Sequence, residues 1–237
     1  MENRIVNHDE WVAARKAFLV KEKEYTHLRD KLAKERQALP WEKVDTNYVF
    51  EGPHGKVTLS DLFEGRSQLL VQHFMMGPDW KEGCVGCSFM ADHVPGALVH
   101  LNNHDVSFAA VSRAPIENIE AFRQRMGWNF PWVSSGQNSF NFDYNVSFKK
   151  QDTVYYNYET SKFGGEELPG ISVFYKDENG QIFHTYSSYA RGNEEFLGTY
   201  VMLDLMPKGR NEENGLQDWV RHHDKYDVVK EHKCCHS

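Results

Sequence analysis

Gln68-Leu69-Leu70-Val71-Gln72-His73-Phe74-Met75, the loop Gly77–Gly83, and then Cys84-Val85-Gly86-Cys87 at the head of a helical stretch form the run that decides the fold. The first segment is a mostly apolar run of strand length, as expected of a buried strand. A cysteine opening the following helix meets backbone N–H groups that have no intrahelical partner, and these favour a thiolate. The second cysteine lies one turn on, near enough to attack a mixed disulfide formed on the first. The small pair Val85-Gly86 leaves the first sulfur accessible. Trp80 and Phe89 supply an apolar rim, and Lys81 adds positive potential that Glu82 opposes. A zinc site would need two further ligands. His93 and His100 are poorly placed on the same helix, and Cys234-Cys235-His236 would have to fold back. The pair is therefore read as redox-active, with Cys84 the nucleophile and Cys87 the resolving thiol, and no cofactor or metal is expected.

Working outward, Asn7 to Leu39 reads as one long helix. Trp11, Phe18, Tyr25, Leu32 and Leu39 recur every seven residues along a densely charged segment. Asn7 with Glu10 resembles a capping box and Pro40 ends the helix. At 1.5 Å per residue it spans about 45 Å, and it either lies across its own domain or packs on a second subunit. A hairpin is expected around Gly52-Pro53-His54-Gly55, a helical turn at Ser60–Phe63, a strand at Val106–Val111, a helix at Pro115–Met126 and a short strand at Trp132–Ser135. Residues 136–170 read as an insertion with little regular structure. Ile171–Tyr175 and Gln181–Tyr186 form a hairpin, and Glu194–Leu205 a last core helix. The expected organisation is a helical arm over 1–40, a core domain over 41–210, and a tail over 211–237 with a short amphipathic segment. The order of elements gives an α/β mixed-sheet sandwich with a dithiol at its first major helix, which is thioredoxin topology. That topology makes Pro169, before the strand Ile171–Tyr175, a candidate to face the dithiol. His184, Tyr186, Tyr189 and Arg191 form a polar cluster expected near the same site.

Composition agrees with a folded soluble chain. In 237 residues, 40% are hydrophobic and 14% aromatic, and the formal charge is −7. Lys and Arg are scattered without a basic stripe, which argues against nucleic acid. No apolar run approaches the ~20 residues of a membrane helix, and the polar start Met1–Glu10 lacks the apolar stretch expected of a signal peptide. Cytoplasm is the expected compartment, where four cysteines in two close pairs point to redox or metal chemistry before structural bridges.

Several stretches resemble a bacterial family of unknown function, DUF899. They include Leu39-Pro40-Trp41-Glu42-Lys43-Val44, Tyr48-Val49-Phe50-Glu51-Gly52-Pro53, Phe74-Met75-Met76-Gly77-Pro78-Asp79-Trp80, Gly83-Cys84-Val85-Gly86-Cys87-Ser88, Val111-Ser112-Arg113-Ala114-Pro115 and Phe183-His184-Thr185-Tyr186-Ser187. The resemblance runs from about Glu10 to Tyr226. It implies a thioredoxin-like fold and a dithiol–disulfide oxidoreductase of unknown substrate, and it carries the dithiol onto Cys84 and Cys87 alone. Three functions follow in order. Thiol–disulfide exchange on a disulfide or thiol substrate leads. Peroxide reduction in the manner of peroxiredoxins, which share the fold, comes second. Their signature places Pro and Thr seven and three residues before the reactive cysteine, where this chain has Gly77 and Lys81. The third is a non-enzymatic redox-sensing or partner-binding protein, with the long helix mediating assembly into a homo-oligomer.

Overall fold

The computed structural model describes residues 3–150 and 153–227; the motif Cys234-Cys235-His236 lies outside them. The chain divides into two compact units, one ending at Trp41 and one beginning at Glu42. The first is the helix α1 (His8–Gln37). The Asn7 side chain accepts the Glu10 N–H at 2.9 Å, which caps the helix as its sequence signature requires. Ala38 closes it just before Pro40, and none of its residues is buried.

The second unit is built on an eight-stranded sheet. Its strands are β1 (Glu42–Lys43), β2 (Val49–Gly52), β3 (Gly55–Thr58), β4 (Gln68–His73), β5 (Val106–Ser112), β6 (Trp132–Ser134), β9 (Gly170–Lys176) and β10 (Ile182–Tyr189). A separate hairpin, β7 (Thr153–Tyr156) and β8 (Glu159–Lys162), stands apart. The sheet order is β1-β10-β9-β4-β5-β6-β2-β3. β4 and β5 are parallel, while β9 runs antiparallel to both β4 and β10. The helices are α2 (Val85–Ala91), α3 (Leu98–Asn103), α4 (Ile116–Arg125), α5 (Phe140–Asp143) and α6 (Gly198–Asp204). A parallel β4-α2-β5 unit, a central β4, and a closing antiparallel β9-β10 hairpin followed by α6 make the fold thioredoxin-like.

β4 is apolar along most of its length because both of its faces are covered. Leu69 and Val71 join Ala109, Val111, Val133 and Phe174 in a cluster with Tyr48, Phe50, Phe63 and Phe140. Phe74, with Phe108, Ala110 and Trp132, meets Cys87 and Ala91 of α2 and Ile119 and Phe122 of α4 on the other face. A third cluster joins Phe89 and Met90 of α2 to Tyr200 of α6 and to Val220. The dithiol helix is thus wedged between two cores.

Two expectations need correction. Residues 136–170 do not form an irregular excursion, because they contain α5 and the β7-β8 hairpin and carry a cluster of Val146, Phe148, Val154, Tyr156 and Tyr189. The aromatic composition that reads as loop is there to fill a core. The helix expected over Glu194–Leu205 is split into a 3-10 turn, Ala190–Phe196, and α6, since Leu197 adopts φ −94, ψ 76 between them. The amphipathic piece expected after residue 210 packs against the domain: Trp219 and Val220 join the third cluster, and His222 is buried.

If α5 is part of the core, Phe140→Ala will destabilise the protein by about 3–5 kcal/mol in urea unfolding. Phe140 is fully buried, and its ring lies edge-on to Tyr48 and Phe50 at 4.9 and 5.1 Å. A loss below about 1 kcal/mol would mean that residues 136–170 are peripheral.

Candidate active site

β4 hands the chain to a loop held from both sides. Phe74 N–H donates to Val111 O at 2.9 Å, Ala114 N–H to Met76 O at 2.9 Å, and Cys84 N–H back to Met75 O at 3.0 Å. A Cβ on Gly83 would sit 2.4 Å from the Phe74 ring and 2.8 Å from Phe122. Only glycine lets the backbone lie directly on those rings and deliver the next residue to the start of α2. That residue, Cys84, is the N-cap, with φ −55 and ψ 135.

The two thiols then face opposite electrostatic conditions. Cys84 is partly exposed and Cys87 is buried. The Cys87 thiol donates to Cys84 Sγ, and the backbone N–H groups of Cys87 and Gly86 add to it, so the Cys84 pKa falls to about 6 in spite of burial. Cys87 moves the other way. It gives its proton to the bond with Cys84, it is buried, and the neighbouring charge opposes its own. Met75 N–H donates to Cys87 Sγ at 3.4 Å and Gln72 Nε2 to the Cys87 carbonyl at 3.0 Å, which fixes the inner thiol. The result is one thiol that ionises readily and one that keeps its proton.

Both sulfurs line a mostly apolar cleft of about 230 Å³. Its walls come from Gln72 and His73 of β4, Pro169 and Gly170 at the start of β9, the 3-10 turn with Arg191 and Glu194, and Leu216 and Gln217 from the segment after 210. Gly86 has a local reason to be glycine, because a Cβ there would lie 2.4 Å from Gln217 Oε1. That wall is buckled to the dithiol loop. His222 Nε2 donates to Gly83 O at 2.9 Å, Lys225 Nζ donates to Glu82 at 2.8 Å, and Arg125 joins Glu82 to Asp224.

The residues singled out from sequence do not all meet here. Pro169 lines the cleft, its peptide bond is trans, and its carbonyl accepts the Tyr156 hydroxyl at 2.6 Å. Arg191 also lines it, paired with Glu194 at 2.6 Å. Lys81 faces α4 and donates to Asn118 Oδ1 at 3.4 Å. Trp80 is 38% exposed and its indole covers Gly77. His184 lies elsewhere, lining a second cavity with Glu42, Tyr48 and Asp143. A strand advances about 3.3 Å per residue, so the five steps of β10 from His184 to Tyr189 span roughly 16 Å before the chain enters the turn that holds Arg191.

Sequence reasoning missed Gln72, His73, Asn193 and the wall formed by Leu216 and Gln217. Gln72 and His73 did carry a signal, because two polar residues ending an apolar buried run need partners. His73 Nε2 meets Ser172 Oγ at 2.7 Å, Ser172 meets Ser187 at 2.7 Å, and Ser187 meets His184 Nε2 at 2.7 Å, a polar line across three strands. Beside the cleft, Glu167 pairs with Arg113 at 2.6 Å and accepts the Ser147 hydroxyl at 2.7 Å. Burial raises its carboxyl pKa. Among the described residues no three His, Cys, Asp or Glu side chains converge on a metal position.

A thioredoxin fold with a dithiol at the head of its first sheet-packed helix defines the class. The model of the family described as "Bacterial protein of unknown function (DUF899)" matches residues 1–226, and the chain belongs to that family. Among solved structures, it is similar to peroxidoxin BcpB from Mycobacterium tuberculosis at 13% identity and TM-score 0.47, covering 68% of this chain and 95% of that one. It is similar to a PrxQ mutant from Xylella fastidiosa at 14% identity and TM-score 0.45, covering 68% and 94%. For peroxiredoxin Q from Xanthomonas campestris the values are 15%, 0.45, 64% and 88%. No curated protein gives a significant match.

Burial, with a smaller contribution from His184, lowers the His73 pKa from 6.5 to about 3. Below pH 6.5 the unfolded chain binds a proton there that the folded chain refuses. His73 therefore costs stability as pH falls from 6.5 toward 3, by about 1.4 kcal/mol per pH unit at most. Urea midpoints of the protein and of His73→Gln, measured from pH 7 to pH 4, will diverge with the wild type falling more steeply. Parallel curves would show that His73 is not held neutral.

Proposed function

We propose that this protein is a thiol–disulfide oxidoreductase. The observation that carries the reading is the placement of two thiols on one apolar cleft, Cys84 partly exposed at the head of α2 and Cys87 buried one turn on, and their opposed shifts accord with it. Cys84 thiolate attacks one sulfur of a substrate disulfide, the substrate S–S bond breaks, and the leaving thiolate takes a proton. Cys87 then loses its proton and attacks Cys84 Sγ, which expels the second substrate thiol. The substrate gains two electrons, and the dithiol ends as the Cys84–Cys87 disulfide. Cys87 becomes easier to deprotonate once the negative charge on Cys84 has been discharged into the mixed disulfide, so the electrostatics order the two steps.

Peroxide reduction would ask for a hydroxyl donor beside the reactive sulfur. Lys81, three residues before Cys84, is engaged with Asn118 instead.

Alkylation of Cys84 by iodoacetamide as a function of pH tests the reading. The rate will titrate well below the pKa of about 8.5 of a free thiol. In Cys87→Ala, which removes the thiol donor, the midpoint will move up by one unit or more. A wild-type midpoint at or above 8, or one unmoved in Cys87→Ala, would remove the basis for assigning Cys84 as the nucleophile.

A further inference from the structure

A second cavity, of about 290 Å³, lies where β1 and β10 meet the end of α5, and it shares no residue with the dithiol cleft. β1 and β10 run antiparallel with Glu42 opposite His184, which sets the Glu42 carboxylate 3.5 Å from His184 Nδ1. The other ring nitrogen, Nε2, lies 3.1 Å from the Tyr186 carbonyl and 2.7 Å from Ser187 Oγ. A carbonyl oxygen only accepts, so Nε2 is assigned the proton of the neutral ring, and Nδ1 turns a lone pair toward the carboxylate. Two acceptors that face each other call for a donor that bridges them. Tyr144 gives a second, independent sign. It is 8% exposed, and its hydroxyl has no hydrogen-bond partner among the described residues. The other three tyrosines of the cavity are engaged: Tyr48 donates to Asp143 Oδ2 at 2.8 Å, Tyr158 to Ser187 O at 3.2 Å and Tyr189 to Tyr144 O at 3.1 Å. Burial, then Tyr48, Glu42 and Asp143, raise the Tyr144 pKa. Those three residues all line the cavity, so the hydroxyl is aimed into it. Asp143 receives Tyr48 and Ser139 on Oδ2, which leaves Oδ1 as a further acceptor.

We propose that this cavity binds a small alkylammonium ligand. An ammonium head carries three N–H donors and no acceptor, so it bridges Glu42 to His184 Nδ1 and has a donor left for the Tyr144 hydroxyl. The rings of Tyr48, Tyr144, Tyr158 and Tyr189 wall the cavity. They attract a cation through their faces and cover the methylene carbons behind it. Lys43, the one lysine or arginine on the wall, is bound to Asp45 at 2.6 Å. Those two charges offset each other, and Glu42 and Asp143 leave the cavity anionic. A metal ion fits less well, because among the described residues the carboxylates and His184 are not drawn together as ligands. Small-molecule pockets run from about 300 to 1,000 Å³, so a cavity at the foot of that range suits an amine of a few carbons. The site is separate from Cys84 and Cys87, and the proposal stands apart from the exchange reading.

Isothermal titration of the full-length protein at pH 8, above the ordinary imidazole pKa of about 6.5, tests the proposal. The probes are 1,4-diaminobutane, a lysine blocked at both ends, and 1,4-butanediol as the neutral control. At least one amine will bind saturably at a single site with a Kd below about 1 mM, and the diol will not. Tighter binding of diaminobutane assigns the site to a free amine, and tighter binding of the blocked lysine assigns it to a lysine side chain of a peptide. The Glu42 side chain is 81% exposed, so Glu42→Gln removes the charge without touching the core, and it will weaken binding about tenfold or more. Tyr144→Phe removes the hydroxyl alone and will weaken it about threefold. No saturable binding of either amine up to about 10 mM, or equal affinity in the wild type and Glu42→Gln, would overturn the inference.

Discussion

The site depends on the contact between the Cys87 thiol and Cys84 Sγ at the head of α2. The hydrogen bond from Cys87, together with the backbone N–H groups that face Cys84 and the burial of Cys87, lowers one thiol and raises the other. The bond is set by backbone geometry. The Cys84 N–H is tied to Met75 O, Met75 N–H holds Cys87 Sγ, and Gly83 lets the loop press onto Phe74 and Phe122. A shift of the loop by the width of one methyl group would disturb all of these contacts together. The large aromatic core beneath the loop supplies the stiffness that a charge-polarised thiol pair needs.

The opposite face of the sheet carries a different solution to burial. His73, Ser172, Ser187 and His184 form a line of hydrogen bonds where apolar residues would pack more simply. A buried polar line of this kind is tolerable because each member bonds the next, although His73 Nδ1 is left without a partner. It also fixes the register of β4, β9 and β10, since a slip of one residue would place each partner on the wrong face. Register matters here because β4 and β9 bring Gln72, His73 and Gly170 to the cleft.

Much of the frame was legible in the sequence because it rests on local signals. The capping of α1 by Asn7 and the hairpin at Gly52–Gly55 each follow from short-range chemistry, and the dithiol at the head of α2 follows from its position after a buried strand and loop. What escaped was set by long-range packing. Phe140 and Tyr144 belong to the main core although they sit in a polar stretch of loop-like composition. The cleft wall at Leu216 and Gln217 comes from a segment more than 120 residues beyond Cys84, and no local pattern marks where it returns. The cluster of His184 and Arg191 is a product of sequence proximity that an extended strand pulls apart.

The central claim is that Cys84 and Cys87 form one reversible two-electron couple. Equilibration of the purified protein with graded ratios of reduced and oxidised glutathione, with thiols counted by mass and assigned by peptide mapping, measures it most directly. The account predicts a single transition in which Cys84 and Cys87 gain and lose their disulfide together, at a potential within the roughly −270 to −120 mV span of dithiol oxidoreductases. A protein whose Cys84 and Cys87 remain reduced across that whole range, or that is trapped only as glutathione adducts, would contradict it.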